Sequence, residues 1–157
     1  MCMREKVDEN HLGYRALMEL LRTADTVWNA SRVFFDRWDL SPSQFNVLNL
    51  LRLTPAGLSQ TDLSRQLVMH RSNLTGLVDR LEKRGLVARR EVAADRRAYS
   101  VVLTGAGAKL LDNILPQYYK DAAQVWGHLP ARRADELIAA LQKVAQNAQQ
   151  IAASLPR

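Results

Sequence analysis

The sequence has a single cysteine, Cys2, so no internal disulfide can form and a reducing compartment fits. It has no apolar run near the roughly 20 residues that a membrane span requires. Its opening, MCMREKVDENH, lacks the apolar stretch of a secretory signal, so a cytoplasmic protein that does not enter membranes is expected. The three histidines, His11, His70 and His128, have neither metal-ligand spacing nor partner cysteines, so no metal is expected. There is no nucleophile–base pairing and no Gly-rich phosphate loop, which argues against an enzyme and gives no reason to expect a cofactor. Low-complexity tracts and internal repeats are also missing.

What is present is an ordinary globular balance, 47% apolar and 24% charged, over 157 residues. That length is enough for a sizeable core and suggests one compact unit. The formal charge is +6. Between Arg65 and Arg97, nine basic residues face four acidic ones, so nearly the whole excess sits in about a fifth of the chain. Such clustering is the footprint of a surface that meets phosphates.

Periodicity divides the chain into helices and one hairpin. Leu17, Leu20, Leu21, Ala24, Val27, Trp28, Ser31, Phe34, Phe35 and Trp38 recur at three- and four-residue steps, which predicts a helix over 11–38. Ser41 with Gln44 forms a capping box and Pro42 takes the first helical position, so a second helix starts there and ends at Thr54-Pro55-Ala56-Gly57. Ser59 caps a short third helix. A fourth follows the break at Val68-Met69-His70, with Leu74, Leu77, Val78 and Leu81 on its buried side, and stops at Gly85. Leu86–Glu91 and Ala98–Leu103 read as strands joined by a loop, Ala93-Ala94-Asp95-Arg96-Arg97. Thr104 caps a fifth helix that runs to Leu129, with a kink expected at Pro116. Pro130 opens a sixth. Its apolar residues Leu137, Leu141, Val144, Ala148, Ile151 and Leu155 repeat at steps of 4, 3, 4, 3 and 4, a heptad seam.

Three helices followed by a hairpin, with basic charge on the last helix and on the hairpin tip, form the winged helix-turn-helix pattern. A helix fits the major groove of duplex DNA, where every base pair displays a distinct set of donors and acceptors. With the leucines of the fourth helix turned inward, Arg71, Ser72, Thr75, Gly76 and Asp79 occupy its outer side, with Asn73 and Lys83 at its margins. Small polar residues and a glycine let that backbone come close to base edges. Arg96 and Arg97 at the wing can reach an adjacent minor groove, with Asp95 orienting one guanidinium. Arg80, Lys83 and Arg84 suit phosphates or internal ion pairs, and Arg89 and Arg90 read as solvated strand residues. The seam through Leu137, Leu141, Val144, Ala148 and Ile151 is too apolar for one small winged domain to cover, which predicts a two-fold homodimer.

Leu40-Ser41-Pro42-Ser43-Gln44-Phe45, the stretch RSNLTGLVDRLEKRGLV at 71–87, Asp95-Arg96-Arg97-Ala98, and Leu103-Thr104-Gly105-Ala106-Gly107 occur in the order and spacing of one family. Over residues 40–110 the chain resembles the MarR family of bacterial transcriptional regulators. His70 stands where that family often has an acidic cap, and Gly76 where it often has a larger polar or basic residue. The resemblance implies an obligate dimer built from the terminal helices. It also implies a pseudo-palindromic operator and, often, a small phenolic or aromatic carboxylate ligand that weakens DNA binding. Some relatives sense peroxide through an N-terminal cysteine; Cys2, some nine residues before the first expected helix, makes a poor counterpart.

The resulting expectation is a mainly α protein in three parts. Residues 1–39 form an N-terminal dimerisation helix, 40–104 the winged domain, and 105–157 the C-terminal dimerisation helices. Arg71, Ser72, Asn73, Thr75, Gly76, Asp95, Arg96 and Arg97 would meet double-stranded DNA. Trp28 would wall a ligand site, with Ser31 and Asn49 orienting a hydroxyl or carboxylate. Two other functions use the same features, a non-specific architectural DNA-binding protein and a helical protein-interaction module. Competition with unrelated DNA separates the first, and absence of DNA binding at low salt identifies the second.

Overall fold

The computed structural model describes residues 3–67, 71–92 and 95–155, with backbone only at 3–10, 71, 72, 92 and 95–98. Six helices and three short strands follow in the order α1 (Met3–Asp36), α2 (Pro42–Arg52), β1 (Leu58–Ser59), α3 (Gln60–Gln66), α4 (Arg71–Lys83), β2 (Val87–Val92), β3 (Asp95–Leu103), α5 (Gly105–Trp126) and α6 (Ala131–Ser154). Instead of the single compact unit that the length suggested, the chain forms two, residues 1–112 and 113–157, divided within α5. Length bounds the number of units without fixing it. In α6, 24 residues long, none is buried. Among the described residues no helix is long and apolar enough to cross a membrane.

The first unit is organised around α2 and α4. At the start of α2 both halves of the capping box are made: the Gln44 amide donates to Ser41 Oγ at 3.2 Å, and the Ser41 amide donates to Gln44 Oε1 at 2.8 Å. Pro42 sits in the first turn, where no amide is needed. Phe45, Val47, Leu48 and Leu51 then face inward and meet the core side of α4, Leu74, Leu77, Val78 and Leu81. Phe35, near the end of α1, stacks on Phe45 with ring centroids 4.3 Å apart. Among the described side chains of α1 only this end is buried: Leu12, Tyr14, Leu17, Leu21, Val27, Trp28 and Val33 are exposed.

Helix α1 begins at Met3, eight residues before the expected start, because Met3-Arg-Glu-Lys-Val-Asp-Glu is rich in helix formers of both charges. Cys2 itself lies outside the described residues, but the helix starts immediately after it rather than nine residues later. Helix α5 passes through Pro116 without interruption and stops at Trp126, three residues early, where Gly127 takes φ +60°. Pro130 is the N-cap of α6 rather than its first helical residue.

The sheet has the order β1-β3-β2, antiparallel throughout. Two residues long, β1 is too short for periodicity to reveal; its pairing of Leu58 with Val101 exists only because the chain returns from the wing. Gly57 makes that return possible. Its φ is +81°, and a Cβ there would meet the Val101 carbonyl oxygen at 2.7 Å, besides crowding Ser100 and Val102. At the base of the wing, Thr104 donates its hydroxyl to the Gly85 carbonyl at 2.6 Å and accepts the Gly107 amide at 3.1 Å. One side chain thus closes the hairpin and caps α5.

Candidate nucleic-acid interface

Helices α3 and α4 pack against each other and are joined through polar side chains. The Ser59 hydroxyl caps α3 by accepting the Asp62 amide at 3.1 Å. From the first residue of α3, the Gln60 side chain accepts a hydrogen bond from the Thr75 hydroxyl on α4 at 3.1 Å. The expected base-facing Thr75 is therefore half-buried and tied to the preceding helix. Asn73 is exposed and Gly76 is half-buried on the outer side of α4. A Cβ on Gly76 would find nothing closer than an Arg80 guanidinium nitrogen at 3.5 Å, so packing within the chain does not call for glycine there.

The wing differs from the expected loop. Val92 pairs directly with Asp95, after an irregularity at Glu91/Val92, and residues 93–94 lie outside the described residues. Asp95, Arg96 and Arg97 belong to the backbone of β3 rather than to the loop, because the ladder extends further than its β-branched residues indicated. Their side chains, and those of Arg71 and Ser72, lie outside what the structure describes.

Sequence reasoning missed the role of Arg89. Expected to be solvated, it is only 25% exposed, and its guanidinium bridges two carboxylates of α4. It donates to Asp79 at 2.5 Å and to Glu82, while its backbone amide donates to the other Glu82 oxygen at 3.0 Å. The Asp79 hydrogen bond raises the Arg89 pKa most; desolvation by burial opposes it, and the charge of Glu82 adds to the rise. Arg89 is accordingly a fixed cation at any working pH. The signal was present in the sequence: Asp79 and Glu82 are three apart on a helix, and a strand with an arginine follows one turn later.

Arg84 is also spoken for. It donates to the Trp38 carbonyl at 3.1 Å and to the Asp39 carbonyl, anchoring the turn where Asp39 adopts φ +51° after α1. Arg80, Lys83 and Arg90 are exposed. Together with Arg84, Asp39, Ser41 and Gln44, Arg80 and Lys83 line a shallow hollow beside the end of α4.

Of the expected ligand residues, Trp28 is 44% exposed, the Ser31 hydroxyl donates to the Val27 carbonyl at 2.8 Å, and Asn49 is half-buried. The seam residues Leu137, Val144, Ala148 and Ile151 of the second unit are exposed and Leu141 partly so. Beside them is an apolar hollow of about 340 Å³, lined in part by Trp126, Leu129, Leu137 and Leu141. Among the described residues no three potential metal ligands come together.

Comparison with known proteins agrees with this geometry. The family model described as MarR family matches residues 38–98, from the turn after α1 into the wing. The transcriptional repressor MprA of Escherichia coli K12 is 36% identical over 80 residues, 51% of this chain and 46% of MprA. The chain spans about half the length of the curated relatives it matches first. CouR of Rhodococcus jostii RHA1, solved with p-coumaroyl-CoA, superimposes with a TM-score of 0.74 at 26% identity, covering 80% of this chain and 88% of CouR. BpsR of Bordetella bronchiseptica, whose DNA binding is regulated by 6-hydroxynicotinic acid, gives 0.72 at 26% identity, covering 81% and 91%. The winged core, the matched segment and these relatives together show a winged helix-turn-helix of the MarR family over residues 38–98.

Proposed function

We propose that this protein is a homodimeric transcriptional repressor that binds a pseudo-palindromic operator and is released by a small aromatic ligand. The observation that carries the reading is the outer side of α4. Its polar and small residues Asn73, Thr75 and Gly76 stand on a helix whose other side is fully committed to the core. In this reading α4 enters the major groove, with Arg71 and Ser72 at its leading end. Arg96 and Arg97, beside Asp95 on the wing, follow the minor groove.

Two further features support assembly as a dimer. Helix α6 keeps its heptad seam unburied, and most of α1 exposes large apolar residues. A second copy related by a two-fold axis would cover both and set two α4 helices about one DNA turn apart. Residues 40–104 then read DNA, while 1–39 and 105–157 join the copies. Relatives solved with, or regulated by, aromatic acids and their thioesters support a ligand of that class, walled by Trp28 and oriented by Ser31 and Asn49. Release follows only if that ligand binds the arrangement unfit for DNA more tightly than the fit one.

Selecting duplexes from a random pool with the intact chain tests the proposal. An inverted repeat is the expected result. Recovery of unrelated sequences in proportion to the pool would mean an architectural DNA-binding protein, and no recovery at low salt would remove DNA from the function.

A further inference from the structure

Asp79 and Glu82 stand on the same stripe of α4 as Thr75, at three- and four-residue spacing, and their side chains are 48% and 36% exposed. Two carboxylates on the side of a helix that approaches phosphates would repel DNA. Arg89 reaches across from β2 and forms charge-assisted hydrogen bonds to both, while its own backbone amide is held by Glu82. At 25% exposure its side chain is more enclosed than either partner, so it is poorly placed to leave them for a phosphate.

We propose that Arg89 is a positioning residue for DNA binding that touches no DNA: it cancels the charge of Asp79 and Glu82 on the recognition helix and fixes β2 of the wing against that helix. This rests on the reading of α4 and the wing as the DNA surface. It divides the basic cluster into two classes. Arg89, bonded to α4, and Arg84, bonded to the turn after α1, shape the surface. Exposed Arg80, Lys83 and Arg90 are available to phosphates.

A double-mutant cycle separates charge cancellation from direct contact. The probe is a fluorescently labelled random-sequence duplex of about 30 base pairs, titrated by anisotropy at several salt concentrations, with thermal unfolding recorded for each variant. In the parent background R89M is expected to weaken binding on the order of tenfold at low salt. The loss should shrink toward parity as the screening length falls to a few ångströms near 1 M. In the D79N/E82Q background, where no carboxylate needs cancelling, R89M should cost less than about twofold. R89K keeps a cation on β2 and should bind within about threefold of the parent.

Equal losses from R89M in both backgrounds would show a direct phosphate contact and overturn the inference. R89K as weak as R89M would overturn it too, and decides the matter if R89M does not fold. If the parent binds the duplex and R89M binds equally well, only the inference fails. If the parent binds no duplex at low salt, the DNA-surface reading fails with it.

Discussion

The Thr75 hydroxyl donates to the Gln60 side-chain oxygen at 3.1 Å, so the two helices of the helix-turn-helix are joined through a residue that sequence spacing alone assigns to base reading. Replacing Thr75 with valine keeps its volume and removes the donor. Because Gln60 is half-buried, water can restore only part of the bond. The expected loss is about 1 kcal/mol of stability, read by urea unfolding at fixed protein concentration. Thr75→Ser should retain most of it. A valine variant as stable as the parent would mean that the bond holds nothing.

Gly76 gives the opposite combination. Glycine in a helix interior is about 0.5–1 kcal/mol worse than alanine, and an added Cβ here meets only ordinary contact at 3.5 Å. Gly76→Ala should therefore raise the unfolding midpoint. If the backbone of α4 comes close to base edges, the same change should weaken operator binding. Higher stability with unchanged affinity would show that DNA keeps its distance from this turn.

Arg97 belongs to β3, near the tip of the wing. Arg97→Ala should weaken operator binding by roughly 1–3 kcal/mol and lower the slope of log affinity against log salt by about one, if its guanidinium enters the minor groove. Changes at exposed Asn73 should instead alter which sequence is preferred. Identical affinity across salt for Arg97→Ala would remove the wing from the DNA surface.

The α6 seam makes a prediction about assembly. Leu141→Asp places a charge in the middle of the proposed interface, where an unpaired buried carboxylate is costly. Sedimentation should show the parent as a dimer and the variant as largely monomeric at micromolar concentration, with helix content kept. A parent that sediments as a monomer would sink the two-fold arrangement.

The recognition of elements and of the core needed little beyond the chain itself. Leu74, Leu77, Val78 and Leu81 repeat at helical spacing, and all four are buried. Ser41, Pro42 and Gln44 announce the start of α2 by local bonds that neighbouring residues make without help from the rest of the fold. Gly85, with φ +68°, ends the recognition helix because only glycine adopts that conformation freely. These features depend on contacts within one or two turns, and local sequence specifies such contacts.

The partners of the charged residues were settled only in three dimensions. Arg89 and Arg90 are adjacent on one strand and alike in composition, yet one is enclosed by Asp79 and Glu82 and the other is exposed. Alternation along a strand sends neighbours to opposite faces, and which face meets α4 is fixed by the register of β2 on β3. The two-residue strand β1, the anchoring of Arg84 on the Trp38 carbonyl and the tie between Thr75 and Gln60 likewise join residues at least 15 positions apart. An ion pair or hydrogen bond over that distance leaves no period in the sequence, because its geometry depends on how the core packs. The sequence by itself therefore determined the helices, the hairpin and the basic character of the surface, while packing decided which cations stay free to meet DNA.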